Sequence, residues 1–70
     1  MQMLDFITSL QTEEDEQLIV PTLTPIAGIQ RVNFKLEDGK HILRVEAKET
    51  SPLIIERLLI SKGFICVQVH

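Results

Sequence analysis

The sequence predicts an α+β fold in the order βαββαβ: a four-stranded antiparallel sheet with two helices on one face. Three observations carry that expectation. Residues 29–37 and 41–48 alternate apolar and polar side chains on either side of an Asp38-Gly39 pair. Ser51-Pro52 opens an apolar helical stripe that closes at Gly63. A last apolar run, residues 64–69, follows directly.

Size sets the frame. The 70 residues are read as one domain, 1–70. At this length roughly 60% of the unfolded surface is buried on folding. A two-domain enzyme is excluded, and little room is left to enclose a large cofactor. With 44% apolar and 24% charged residues, the chain has globular rather than disordered composition.

The first element is a short strand over 2–8 (QMLDFIT), with Leu4 and Phe6 inward. Thr12 then caps a helix, with Asp15 three residues on, close to a capping box. Glu13 to Glu16 fill its first turn, where the helix dipole favours acids. Ile19, Leu23 and Ile26 follow at i, i+4 and i+7 as one buried stripe. Pro21 and Pro25 oppose a regular helix, since each removes a hydrogen bond and presses on the preceding turn. The helix is expected to kink, or to end near Val20 and resume as a turn. A second reading makes 1–11 a helix and 17–23 (QLIVPTL) a strand with Pro21 on an edge.

The second half is plainer. On 29–37, Val32, Phe34 and Leu36 share one face, and Arg31, Asn33 and Lys35 the other. Asp38-Gly39 suits a tight turn because Gly accepts positive φ. On 41–48, Leu43, Val45 and Ala47 face the core, and Ile42 breaks the outward polar pattern. Ser51 caps the second helix, Pro52 takes its first position and Gly63 its C′ position. Ile55, Leu58, Leu59 and Lys62 lie at helical spacing. The final strand sets Ile65, Val67 and Val69 on one face and Phe64, Cys66 and Gln68 on the other. Together these elements make a ferredoxin-like sandwich.

The spacing resembles the heavy-metal-associated domain of copper chaperones and metal-pumping ATPases. Ala27-Gly28-Ile29 with Val32, Phe34 and Leu36 looks like that family's helix-to-strand junction. Glu37-Asp38-Gly39-Lys40 looks like its hairpin turn. Ser51-Pro52 and Lys62-Gly63-Phe64 look like the two ends of its second helix. The family's metal loop is typically Met-x-Cys-x-x-Cys. Counting back from Gly28 by the family's spacing puts Thr12 and Asp15 at the two cysteine positions, and Leu10 at the Met that plugs the core. The resemblance therefore implies the fold, but not thiolate capture of a soft metal ion, because both sulfurs are missing.

Few residues suggest chemistry. A metal ion held by other ligands would use Thr12 and Asp15 with nearby carboxylates for a hard cation, or Cys66 and His41 for a softer one. His70 is a further soft-ligand candidate. Four successive acids on a helix point in different directions, so Glu13 to Glu16 read as a solvated first turn. No nucleophile motif surrounds Ser9, Ser51 or Ser61, and Gly28, Gly39 and Gly63 form no phosphate-cradling loop. Neither catalysis nor a cofactor is expected.

Charge and apolar surplus point to partners instead. Residues 1–30 carry five acids and no base, and residues 31–70 carry seven bases and five acids, for a net charge of −3. Arg31, Lys35, Arg44 and Lys48 on the outer hairpin face offer an anionic partner such as RNA a surface. With no Tyr or Trp and an acidic net charge, nucleic acid is not the favoured ligand. The second helix is apolar beyond one stripe. Leu53, Ile54 and Ile60, with Arg57 among them, are the expected surface for a protein partner or a homodimer, joined by the 9–16 loop. No apolar run is long enough to span a membrane. One cysteine and no visible signal sequence make a cytoplasmic location the expectation.

Overall fold

In the computed structural model, which describes residues 2–69, the elements are β1 (Gln2–Thr8), α1 (Glu13–Leu23), β2 (Ile29–Glu37), β3 (Lys40–Ala47), α2 (Pro52–Ser61) and β4 (Cys66–Val69). The strands form one antiparallel sheet in the order β2-β3-β1-β4. The order βαββαβ and the two helices match the predicted ferredoxin-like arrangement. His70 lies outside the described residues.

One apolar core holds the layers together. Leu4 and Phe6 from β1, Leu43, Val45 and Ala47 from β3, and Cys66 from β4 form its sheet side. Ile19 and Leu23 from α1, and Ile55 and Leu59 from α2, close it from above, and all four are fully buried. Fully burying one such aliphatic side chain contributes about 1.5–3 kcal/mol.

Helix α1 follows the first sequence reading in its Thr12 cap, acidic first turn and buried Ile19 and Leu23, and overturns the second. Residues 2–8 form a strand rather than part of a helix, and 17–23 are helical rather than a strand. The helix does not end at Val20 but runs through Pro21 to Leu23. Burial of Leu23, two residues beyond the proline, offsets a cost of about 3 kcal/mol. The end of the helix is tied down by Thr24, whose N–H and hydroxyl both donate to the Val20 carbonyl, at 2.9 and 2.6 Å. Ile26 lies beyond the helix and packs half-buried against the core.

Other boundaries shift slightly. β3 starts at Lys40 and ends at Ala47 rather than spanning 41–48, and β4 begins at Cys66 rather than Phe64. Ser51 occupies the N-cap of α2, but its side chain makes no capping bond. At the other end, Gly63 N–H donates to the Ile60 carbonyl and Phe64 N–H to that of Leu59, the paired bonds of a Schellman motif.

Two glycines have stereochemical work. Asp38 and Gly39 have φ of 53° and 74°, so the hairpin turn is type I′. Gly28 has φ 94°, and a Cβ there would lie 2.3 Å from the Lys48 carbonyl oxygen. That closeness lets Lys48 N–H donate to the Gly28 carbonyl at 2.7 Å. Buried Thr50 completes the junction: its hydroxyl donates to the Ala27 carbonyl at 3.2 Å, and its N–H to Gln2 Oε1 at 3.3 Å. The α1–β2 and β3–α2 connections are thereby joined at one end of the sheet.

Candidate functional site

The exposed stripe of α2 is the first candidate. Ile55 and Leu59 turn into the core, and Leu58 packs half-buried beside them. A helix places residues three, four and seven apart on one face. Leu53, Arg57 and Ile60 therefore line up, with Ile54 adjoining. Leu53, Ile54 and Ile60 are 52%, 48% and 59% exposed, and Arg57 is exposed among them. Lys62 is the C-cap of the helix and is itself exposed.

The 9–16 loop and helix start are built around capping. Asp15 N–H donates to Thr12 Oγ1 at 3.1 Å, and Gln11 N–H donates to Asp15 Oδ2 at 3.2 Å. Each side chain thus satisfies a backbone donor at the helix start. Leu10 is buried beneath them, 1% exposed. Its backbone N–H donates to Thr8 Oγ1 at 3.3 Å.

His41 and Cys66 stand in one cross-strand row, on either side of Thr8. Two strand spacings put their backbones about 10 Å apart. Buried Thr8 fills the gap and donates its hydroxyl to the His41 carbonyl at 3.2 Å. Burial pushes the Cys66 thiol up to about 12, with the nearby Glu56 carboxylate adding to the effect. The thiol is thereby kept from the thiolate form that ligates metal. Thr12 is the N-cap of α1 and Asp15 lies in its first turn. Among the described residues, no three His, Cys, Asp or Glu side chains are grouped to hold a metal ion.

A cleft of about 410 Å³ opens between the start of α1 and the turn end of the β2–β3 hairpin. Leu10, Glu13, Glu16, Phe34, Leu36 and His41 line it. It brings Thr12, Glu13 and Glu16 together with His41, but not Asp15 or Cys66.

The outer sheet face holds the basic residues, and acids partner most of them. Arg44 donates to both oxygens of Asp5, at 2.8 and 3.0 Å. Arg31 lies 3.6 Å from Glu46, and Lys35 lies 3.1 Å from Glu37. Lys48 is exposed just past the end of β3. Sequence reasoning missed the apolar part of this face. Ile42 pairs with Ile7, and Ile7 with Val67, so three β-branched residues cross the sheet in one row. Val67 at the end of this row and Ile65, earlier on the same chain segment, are 56% and 66% exposed. Ile42 as a break in alternation was the one signal of this row.

No helix among the described residues is long and apolar enough to cross a membrane. Comparison with known protein families, curated proteins and solved structures finds no match for the chain.

Proposed function

We propose that this chain is a noncatalytic protein-binding module. It is a ferredoxin-like domain similar to heavy-metal-associated domains, with a degenerate metal loop, and it docks a protein on the outer stripe of α2 and the adjoining 9–16 loop. The observation that carries this reading is the exposure of Leu53, Ile54 and Ile60 on one face of a short helix. A single exposed apolar residue is ordinary, whereas an apolar stripe marks an interaction surface. Arg57 within the stripe favours an apolar partner surface that carries a carboxylate.

Two further observations support protein over metal or RNA. Thr12 and Asp15 spend their side chains on backbone caps, and Cys66 is a buried, protonated thiol. On the sheet face, Arg31, Lys35 and Arg44 lie against acids, and Phe6, Phe34 and Phe64 belong to the core side.

The test is site-specific photo-crosslinking in the native host. A photoreactive residue at Ile54 is compared with one at Lys40, on the hairpin turn. An adduct formed at Ile54, absent at Lys40 and lost in Leu53→Glu/Ile60→Glu, is expected. Its mass separates a second copy from a different protein. Equal adduct yield at both positions, or yield unchanged by the double substitution, would defeat the reading. The double variant should keep its fold, because exposed substitutions change stability by about 0.5 kcal/mol or less.

A further inference from the structure

We propose that two copies of this chain pair through the free edges of their β2 strands, continuing one sheet across a two-fold axis at Phe34. This surface is separate from the α2 stripe and does not depend on it.

The sheet order leaves β2 and β4 as edges. β4 has four residues and β2 has nine. A long open edge presents unpaired N–H and C=O groups in the geometry that another strand needs. Which residues present them follows from the turn. A two-residue type I′ turn closes on a hydrogen-bonded pair, here Glu37 and Lys40. Counting back by twos, Lys35, Asn33 and Arg31 direct their backbone groups to β3. Val32, Phe34 and Leu36 direct theirs away from the sheet. The alternation agrees with the far side of the sheet, where Ser9 N–H donates to the Ile65 carbonyl at 3.1 Å and the His41 carbonyl faces β1.

The edge is bounded on both sides. A register irregularity between Ile29 and Arg31 disturbs one end, and the turn after Glu37 closes the other. The regular run is therefore Arg31–Glu37, and its middle residue is Phe34. A two-fold axis there pairs the whole run with itself, antiparallel. Phe34 meets Phe34, Val32 meets Leu36, and Arg31 meets Glu37. All outward backbone groups of Val32, Phe34 and Leu36 then find partners. Apolar residues meet on the helix side of the sheet, and opposite charges meet on the outer side.

No neighbouring register does this. A shift by two residues one way sets Arg31 opposite Lys35. A shift the other way sets Lys35 opposite its own copy. Like charges directly opposite are destabilising in an antiparallel pair. The exposures fit as well: Leu36 is 67% exposed and the Arg31 side chain 71%, although both belong to a regular strand. Charge complementarity and register thus select a second copy of this chain as the occupant. The combined sheet runs β4-β1-β3-β2 in one copy and back through β2-β3-β1-β4 in the other.

The test combines light scattering with amide hydrogen exchange on the full chain, from about 10 μM to about 1 mM. The mass should double across this range. The amides of Val32, Phe34 and Leu36 should exchange about tenfold more slowly at the high concentration, while those of Asn33 and Lys35 stay protected throughout. Leu36→Pro removes an outward N–H that β3 does not use, and should leave a folded monomer. Glu37→Lys puts two like charges opposite each other and should weaken the dimer at least about tenfold. A monomer at every concentration would overturn the proposal. So would a dimer whose Val32, Phe34 and Leu36 amides exchange equally fast at both concentrations. The second outcome moves the dimer to another face and leaves the α2 reading standing.

Discussion

Asp5 and Arg44 face each other across β1 and β3 and join in a two-bond fork, Arg44 Nε to Asp5 Oδ1 at 2.8 Å and a second nitrogen to Oδ2 at 3.0 Å. The pair sits at the middle of the outer sheet face, and both side chains are about one-third exposed, at 31% and 35%. The Arg44 hydrogen bonds hold the Asp5 carboxyl below its ordinary range, against a smaller opposing effect of burial. Because the folded pKa is depressed, the pair stabilises the fold above the ordinary carboxylate pKa. That stabilisation is lost as pH falls through the folded value. Asp5→Asn should lower the urea midpoint modestly at pH 7, and the midpoints of variant and wild type should converge on acidification. Parallel midpoints from pH 7 to pH 2 would refute the assignment. Solvent screening keeps the effect small.

Gly28→Ala should be far more costly than its size suggests. Its Cβ would enter the space of the Lys48 carbonyl and lie 2.6 Å from Thr50 Oγ1, at a φ that L-residues rarely adopt. Strained backbone and overlap together give a loss of about 3 kcal/mol. Gly39→Ala is the control: its φ is 74° but nothing lies within 4 Å of the added carbon. It should cost about 1 kcal/mol. Equal losses in urea denaturation would show that crowding at the 28–48 junction contributes nothing.

Cys66 should behave as a packing residue. With its thiol raised to about 12 by burial, almost none is thiolate at pH 8. Disulfide-exchange labelling of the native protein should run roughly a thousandfold slower than in urea, since the thiolate is the reacting form. Cys66→Ser should destabilise by about 1–3 kcal/mol by placing a hydroxyl among apolar groups. Native labelling within tenfold of the unfolded rate would contradict the buried thiol.

How far the fold was legible depends on what each residue needs to know. Asp38-Gly39 and the alternation around it specify a hairpin locally, so β2 and β3 were read almost to the residue. Thr12 with Asp15 and the Gly63 ending are equally local signals. The outer face of the sheet is different. Ile7, Ile42 and Val67 meet only because β1 lies between β3 and β4, and strand order is a tertiary property. The two faces of β4 are both mainly apolar, so periodicity alone does not say that Cys66 turns inward. Its pairing with Thr8 decides it. On β2, alternation grouped Val32, Phe34 and Leu36, but an edge position leaves them only partly covered. Of the candidate site, the α2 stripe was legible because a helix between a sheet and solvent buries only one side.

Pro21 is the clearest place where packing overrides local preference, and replacing it tests the balance directly. The residue is exposed within α1, and its ring denies a hydrogen bond to the Gln17 carbonyl one turn back. Pro21→Ala restores that donor and removes the clash, a gain of about 3 kcal/mol. Against it, the unfolded chain gains freedom worth about 1 kcal/mol. The net expectation is stabilisation by about 1–2 kcal/mol, seen as a higher urea midpoint with an unchanged slope. Helical circular dichroism should hold or rise, because Ile19 and Leu23 already keep both sides of the proline in register with the core. A lower midpoint would mean that Pro21 instead supports the turn into Thr24 and Pro25.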